Sequence, residues 1–564
     1  MSTGTTPAGS GPETAQGLLL GPMLRHVDDT SASIWVETAT ACTVEVRSGP
    51  DAWRAATFAA HGHHYALVEV SGLTAGSVRP YAVYLDGVPA WPLEDGFPDS
   101  MIATLDPSRK PRLAFGSCRT SVPHDESGNR THGVDAMRAY ALSMAAPGHG
   151  SWPDLVLFLG DQVYADSTSS EMQAFIRKRR NIKEEPGAEL KDYEEYAHLY
   201  RLAWSDPANR WLLSTLSSAM IFDDHDIRDD WNSSISWKRD MQKTNWWHER
   251  IVSGLGSYWI YQHLGNLAPK ERAADPLWRR ILAHEGPGEL DLTADLDEFA
   301  GRVDAAPESY RWSYCRDWDA VRLIVVDSRA ARKLEPGQRA LLDPAELAWL
   351  DERMRGGFRH LLIGTSLPFL LPMGLHHVES WDEVLSSGKR GRPRAWLGER
   401  LRRAVDLEHW AAFQRSFQDV ARLATEVADG KRGPAPQTVT FLSGDVHFSY
   451  VSEVARKNGS RILQAVCSPI RNPLPRFLRY FAAALAFGPA VPFGAWMART
   501  AHVPNPPFRW NGIKGPWFDN NLAILEDTGE GLEFSWLTGV VRDGDHLHPR
   551  LDTVEVATLQ SRRE

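Results

Sequence analysis

Two textures of hydrophobic patterning divide this chain. Over residues 17–105 short runs alternate apolar and polar positions, as in SASIWVET, CTVEVRSG, HYALVEV and VRPYAVYLDGV. Alternation with a period of two puts every second side chain on one face, so these runs predict a small antiparallel β-sandwich. Asp86-Gly87, between two such runs, predicts a two-residue hairpin turn. From residue 110 to about 555 the apolar tracts become continuous, as in buried strands, and helical stretches separate them at 134–146, 191–204, 240–263, 344–354 and 407–427. That alternation predicts an α/β layered core with functional groups at strand ends. Residues 1–16 read as a disordered polar leader, and parts of 265–310 and 375–400 as insertions rich in Pro, Gly and charge.

Six apolar tracts end in polar clusters: RLAFGSCR (112–119), DLVLFLGDQVYAD (154–166), MIFDDHD (220–226), LIVVDSR (323–329), LLIGTSLP (361–368) and VTFLSGDVHFS (439–449). Carboxylate, imidazole, thiolate and phenol groups delivered at several strand ends could together hold two metal ions, which points to a metallohydrolase. In GDQVYAD, Asp161 can bridge two cations with its two oxygens, and Tyr164 can point at the same ion. A phenolate favours a hard trivalent ion such as ferric iron. In GDVH, Asp445 and His447 sit two apart, a spacing that in a strand puts both on one face, one for each of two ions.

The run Asp223, Asp224, His225, Asp226 would repel itself without cations or hydrogen bonds to compensate. Asp224 is the expected ligand and His225 the expected proton donor, with Asp223 and Asp226 orienting neighbours or capping the next helix. Cys118 is ordinary packing if taken alone, but beside three ligand-bearing strand ends it reads as a thiolate ligand. Arg119 and Arg329 are expected to grip a phosphate, because a planar guanidinium matches two phosphate oxygens. A serine nucleophile is disfavoured: GTSLP (364–368) has Pro where the nucleophile elbow needs Gly.

Composition narrows the function further. The chain has 564 residues and a net charge of −10, which argues against a nucleic-acid partner but not against a small anionic substrate met by metal ions. Its 22 Trp are expected in the core and cleft lining. Cys42, Cys118, Cys315 and Cys467 show no CxxC spacing, so no disulfide framework is expected. The start lacks a basic, apolar or twin-arginine export signature, which predicts a cytoplasmic protein. Residues 480–498 carry no charge and are broken by Gly488, Pro489, Pro492 and Gly494. They read as a lid or buried hairpin, a membrane-surface element or a span; no obligate protein partner is indicated.

With FGSCR, LGDQVYAD, DDHD and SGDVHF in that order, residues 17–550 resemble the alkaline phosphatase D (PhoD-like) family of the calcineurin-like metallophosphoesterases. The resemblance implies a four-layer α/β sandwich of two mixed β-sheets flanked by helices. The segment at 72–87 resembles the late strands of fibronectin type III domains, implying an immunoglobulin/fibronectin III-like first domain without chemistry of its own. It further implies hydrolysis of phosphate monoesters or diesters by a water activated between two ions. Cys118, Asp161, Tyr164 and His447 would hold ferric iron, and Asp161, Asp224 and Asp445 a divalent ion, calcium before magnesium, manganese or zinc. The superfamily's further His ligand has no counterpart at Thr365 and Ser366. The alternative is a catalytically silent scaffold that keeps the fold.

Overall fold

The computed structural model describes residues 17–148, 152–318, 320–335, 337–388, 391–474, 479 and 490–560. The apolar tracts form strands in two mixed sheets. The first, of six strands, runs Ser218–Ile221, Leu155–Leu159, Arg112–Gly116, Leu522–Asp527, Gly531–Val540, Arg550–Gln560. The first three are parallel, and Leu522–Asp527 turns the direction by pairing antiparallel with Arg112–Gly116. The second, of seven strands, has Val321–Val326, His360–Thr365, Thr438–Ser443 and Arg461–Val466 parallel at its centre. Strands buried on both faces need no alternation in sequence, which is why these tracts are continuous.

The two faces of the second sheet bury different partners. Leu323, Val325, Leu362, Leu442 and Leu463 join Phe115, Leu157 and Leu159 of the first sheet in one core. Ile324, Val326, Leu361, Ile363 and Phe441 join Leu350 and Phe417 in another, on the helices Pro344–Arg353 and Gln414–Ala428. The helix Ala136–Ala145 lies on the first sheet. Trp residues dominate the largest fully buried side chains, among them Trp204, Trp259, Trp410 and Trp536.

Residues 18–103 form an all-β unit in which four strands of a five-stranded sheet and a second sheet of four strands enclose Ile34, Val46, Val68 and Val83. Asp86 and Gly87 take φ of 47° and 84° and join Ala82–Leu85 to Val88–Trp91, the left-handed pair a tight hairpin requires. The expected insertions differ from loops. Residues 265–310 contain the helices Pro276–Leu282 and Thr293–Ala305, and their strand Leu290–Asp291 adds to the first domain's sheet beside Phe58–Ala60. Residues 375–400 contribute to the helices Met373–Ser386 and Arg392–Ala404. The helix expected over 240–263 is broken: Ile235–Met241 is followed by Trp247–Tyr258, which ends in a π-helical turn at Trp259–His263. Of the 480–498 tract, 480–489 lie outside the described residues, and the rest begins a helix, Ala490–Thr500. No described helix is long and apolar enough to cross a membrane.

The sheets meet at Gly444, where a Cβ would lie 1.9 Å from Ser117 Oγ. Gly444→Ala is therefore expected to cost about 1–3 kcal/mol through overpacking, read as a lower denaturation midpoint in urea. An unchanged midpoint would mean that this junction is loose.

Candidate metal centre

Both sheets end their parallel strands at this junction, and hydrogen bonds lock the ends together. Cys118 N–H donates to Gly160 O (3.3 Å), Arg119 N–H to Asp161 O (3.0 Å), Gly444 N–H to Ser366 O (2.9 Å) and Asp445 N–H to Ser117 Oγ (3.1 Å). Cys118, Asp161, Asp445 and His447 have φ of 57°, 49°, 66° and 56°, the left-handed region that non-glycine residues seldom occupy. Such conformations cost about 1–3 kcal/mol each and persist where the surroundings enforce them. They turn each side chain off the strand axis toward a common point. The expectation that Asp445 and His447 share one strand face is thereby corrected: the strand stops at Ser443, and two left-handed residues aim them instead.

Oxygen and nitrogen atoms of Asp161, Asp224 and His225 lie within 4.8 Å of one another, as do those of Asp223, Asp224 and Asp445. Asp161 joins the first group to a softer one. Its Oδ2 lies 3.4 Å from both Cys118 Sγ and Tyr164 Oη, while its buried Oδ1 has no hydrogen-bond partner. Ser468 Oγ bridges Cys118 Sγ (3.4 Å) and the N–H of His447 (3.2 Å). His447 Nδ1 donates to Asn472 O (2.6 Å), which leaves Nε2 as a lone-pair donor, and burial keeps this imidazole below its usual pKa. Asp161 thus stands between a thiol–phenol–imidazole set and a carboxylate set, with an orphaned buried oxygen. That donor chemistry fits two cations.

Electrostatics say the same. Burial first, and then neighbouring carboxylates, push Asp161 and Asp224 well above the usual range, Asp223 to about 6 and Asp226 to about 7. Burial and Asp161 likewise hold the Cys118 thiol and Tyr164 phenol well above theirs. Asp445 is the exception: burial opposes its ionisation, but His409 Nε2 at 2.8 Å and nearby Arg329 bring it down to about 2. Asp226 closes the DDHD turn, accepting the N–H groups of Asp223 (2.9 Å) and Asp161 (3.0 Å).

His225 Nδ1 is 2.9 Å from both oxygens of Asp166. Burial disfavours its imidazolium, yet Asp166, Asp224 and Asp161 hold the pKa well above the ordinary value. A protonated imidazole fixed through Nδ1 presents Nε2–H as an acid.

Both arginines differ from the phosphate grip expected of them. Arg119 is 2% exposed; Nε and Nη2 take Asp135 at 2.9 and 2.8 Å, and Nη1 takes Ala203 O. Arg329 is fully buried and pairs with Asp223, with Asp224 (3.0 Å) and with Glu408 (2.6 Å). Both guanidinium groups are engaged by the protein's own oxygens, so Arg119 ties the thiol strand to a helix and Arg329 holds the carboxylate set. Sequence reading missed Asp166, Glu408 and the His409–Glu379 pair (2.6 Å). Asp166 ends a quoted segment and could have been found. Nothing in DLEHW (406–410) marks Glu408 or His409.

In the metal-free protein, Asp223 and Asp226 hold protons in the folded state that an unfolded carboxylate loses above about pH 4. Their stabilising protonation is complete below that value and lost as pH rises to about 7. Chelator-treated protein should therefore melt at progressively lower temperature over that window, and cation-loaded protein should resist the fall. Parallel melting curves with and without chelator across the window would show that these carboxylates hold no ion.

The sequence profile of the PhoD-like phosphatases matches residues 126–476. Residues 15–102 match a domain family described as of unknown function, DUF7800. No curated protein matches the chain. A solved structure named as that of PhoD aligns with a TM-score of 0.60 at 14% identity, covering 98% of this chain and 92% of its own, which speaks to the fold. A maltogenic amylase from S. marinus reaches a TM-score of 0.14 at 10% identity, covering 95% of this chain and 80% of its own, and carries no argument.

Proposed function

The chain belongs to the PhoD-like phosphatase family, a family of phosphoester hydrolases, and from that premise we propose that it cleaves small phosphate monoesters or diesters at a two-cation centre. Cys118, Asp161, Tyr164 and His447 would hold a ferric ion, and Asp161, Asp224 and Asp445 a divalent one. The observation that carries this reading is Asp161, with one oxygen against a thiol and a phenol and the other orphaned, in a carboxyl grouped with Asp224 and His225. A buried phenol held well above its usual pKa ionises only against strong positive charge, which favours the trivalent ion on that side. The all-oxygen set on the other side suits calcium, or magnesium or manganese, better than zinc. We also read the two sheets and their helices as the four-layer metallophosphoesterase sandwich, and residues 17–105 as an immunoglobulin/fibronectin III-like scaffold.

When bound, the cations supply positive charge to a phosphoryl oxygen and acidify the attacking water. The protein's groups do the rest. Asp166 fixes the His225 ring through Nδ1, and the Tyr164 ring packs against it at 4.7 Å between centroids. Nε2 of His225 gives its proton to the departing alkoxide, and the ring, its pKa raised by the surrounding carboxylates, takes a proton back from solvent water. Arg329 holds Asp223 and Asp224 together against their mutual repulsion, and His409 keeps Asp445 ionised.

Asp161→Asn is expected to abolish turnover and to lower metal content. His225→Ala should retain metal and slow hydrolysis by about 10²–10⁴-fold, most for alcohol leaving groups of high pKa. Metal analysis, a visible spectrum for the tyrosinate band, and rates on p-nitrophenyl and bis(p-nitrophenyl) phosphate test the reading together. Metal-free, inactive protein that iron and calcium do not restore would favour the silent scaffold.

A further inference from the structure

Two helices beside the site present large aromatic side chains to solvent. Arg392–Ala404 packs Gly398 against Asp382 and Ser386 of the helix Met373–Ser386. Its Trp396 and Leu397 are left 60% and 56% exposed. Ala490–Thr500 packs Gly494 against Gly374, His377 and Val378 of the same helix. Its outward Phe493 and Trp496 are 58% and 59% exposed, with rings 5.9 Å apart. Fifteen of this chain's Trp are buried in its core, so two left in solvent on helices that pack against one shared helix are out of character.

Charge follows the aromatics. Residues 391–404 contain five Arg and one Glu, and residues 490–518 contain Arg499, Arg509 and Lys514 and no Asp or Glu, within a chain of net charge −10. Arg392, Arg394, Arg400, Arg403 and Arg499 are exposed, and Arg400 lies over the Trp396 ring at 4.8 Å. Between the helices Met373–Ser386 and Ala490–Thr500 and the following loop is a cavity of about 650 Å³, with His377, Ser380, Arg499 and Arg509 in its wall. The surface is joined to the metal centre. Met373–Ser386 carries Glu379, which holds His409 on Asp445, and Glu399 of the basic helix accepts from Ser234 and Ser236, just past the DDHD turn.

We propose that these two helix faces dock the protein on an anionic phospholipid bilayer. Trp396, Leu397, Phe493 and Trp496 enter the headgroup boundary, and Arg392, Arg394, Arg400 and Arg499 meet lipid phosphates, one of which the cavity takes up. Aromatic and aliphatic residues interleaved with Arg are the composition of an interfacial helix. At 13 residues the helix Arg392–Ala404 is too short to span a bilayer, which needs about 20 residues, and so it lies along it.

The test is co-sedimentation of the full chain with phosphatidylcholine vesicles, with and without phosphatidylglycerol. Binding should need the anionic lipid, weaken as salt rises, and fall about tenfold or more in Trp396→Ala/Trp496→Ala and in Arg392→Glu/Arg394→Glu. Melting temperature and p-nitrophenyl phosphate turnover should be unchanged in both variants. No pelleting, equal pelleting without phosphatidylglycerol, or unaltered pelleting of both variants would overturn the proposal. Sedimentation requires no catalysis, so this surface and the phosphoesterase reading fail separately.

Discussion

Like charges packed into a dry junction set the terms for the rest of this molecule. Asp161, Asp223, Asp224 and Asp226 are buried, and Asp445 half-buried, where two sheets end. Two ionised carboxylates about 4 Å apart repel by about 4 kcal/mol at the effective dielectric of a protein. Arg329 offsets part of that for Asp223 and Asp224, and His409 answers Asp445. Among the described residues no cationic side chain is hydrogen-bonded to Asp161; one oxygen meets a thiol and a phenol and the other is orphaned. The protein thus supplies enough positive charge to fold around the cluster but not enough to neutralise it. The remainder is what a pair of cations would bring.

Holding such a cluster also dictates backbone. Side chains projecting along strand axes could not converge from two sheets, so Cys118, Asp161, Asp445 and His447 adopt left-handed conformations just past their strands. Gly160 and Gly444 stand where no Cβ fits, 2.7 Å from Asp223 Cβ and 1.9 Å from Ser117 Oγ. Strain of about 1–3 kcal/mol per residue persists because the surrounding sheet ladders and the Ser117, Ser366 and Ser468 hydrogen bonds over-determine these loops. Rigidity at the strand ends and crowding of charge are two faces of one requirement.

The same requirement explains what could be read from sequence. A strand that delivers a ligand into a buried site must be apolar up to its end, so FGSC, FLGD, MIFDD and LSGD advertise both strand and site. The Asp86-Gly87 hairpin was legible for a similar reason, since left-handed turns restrict residue type. Partners arriving from far along the chain left no local trace. His409 reaches Asp445 across 36 residues, and Glu408 reaches Arg329 across 79. The two arginines look identical in sequence to phosphate-binding ones, and only their burial beside Asp135 and Asp223 assigns them to holding protein carboxylates. Residues 265–310 read as an insertion because their one strand, Leu290–Asp291, finds its partner in another domain.

That pairing is part of a larger coupling between the first domain and the metal centre. Arg25, buried at the edge of the β-sandwich, donates to Gln262 O and, at 3.2 Å, to Asn266 Oδ1. Gln262 Nε2 donates to Asp226 Oδ1 (3.0 Å), and Asp226 Oδ2 accepts the N–H of Asp161 (3.0 Å). Gln262 sits in the π-helical turn that ends the helix Trp247–Tyr258, and an extra residue in a turn is a common way for a helix to re-aim one side chain at a site. Three residues thus connect the all-β domain to the backbone of Asp161. A domain that contributes no ligand still fixes the floor on which the carboxylates stand.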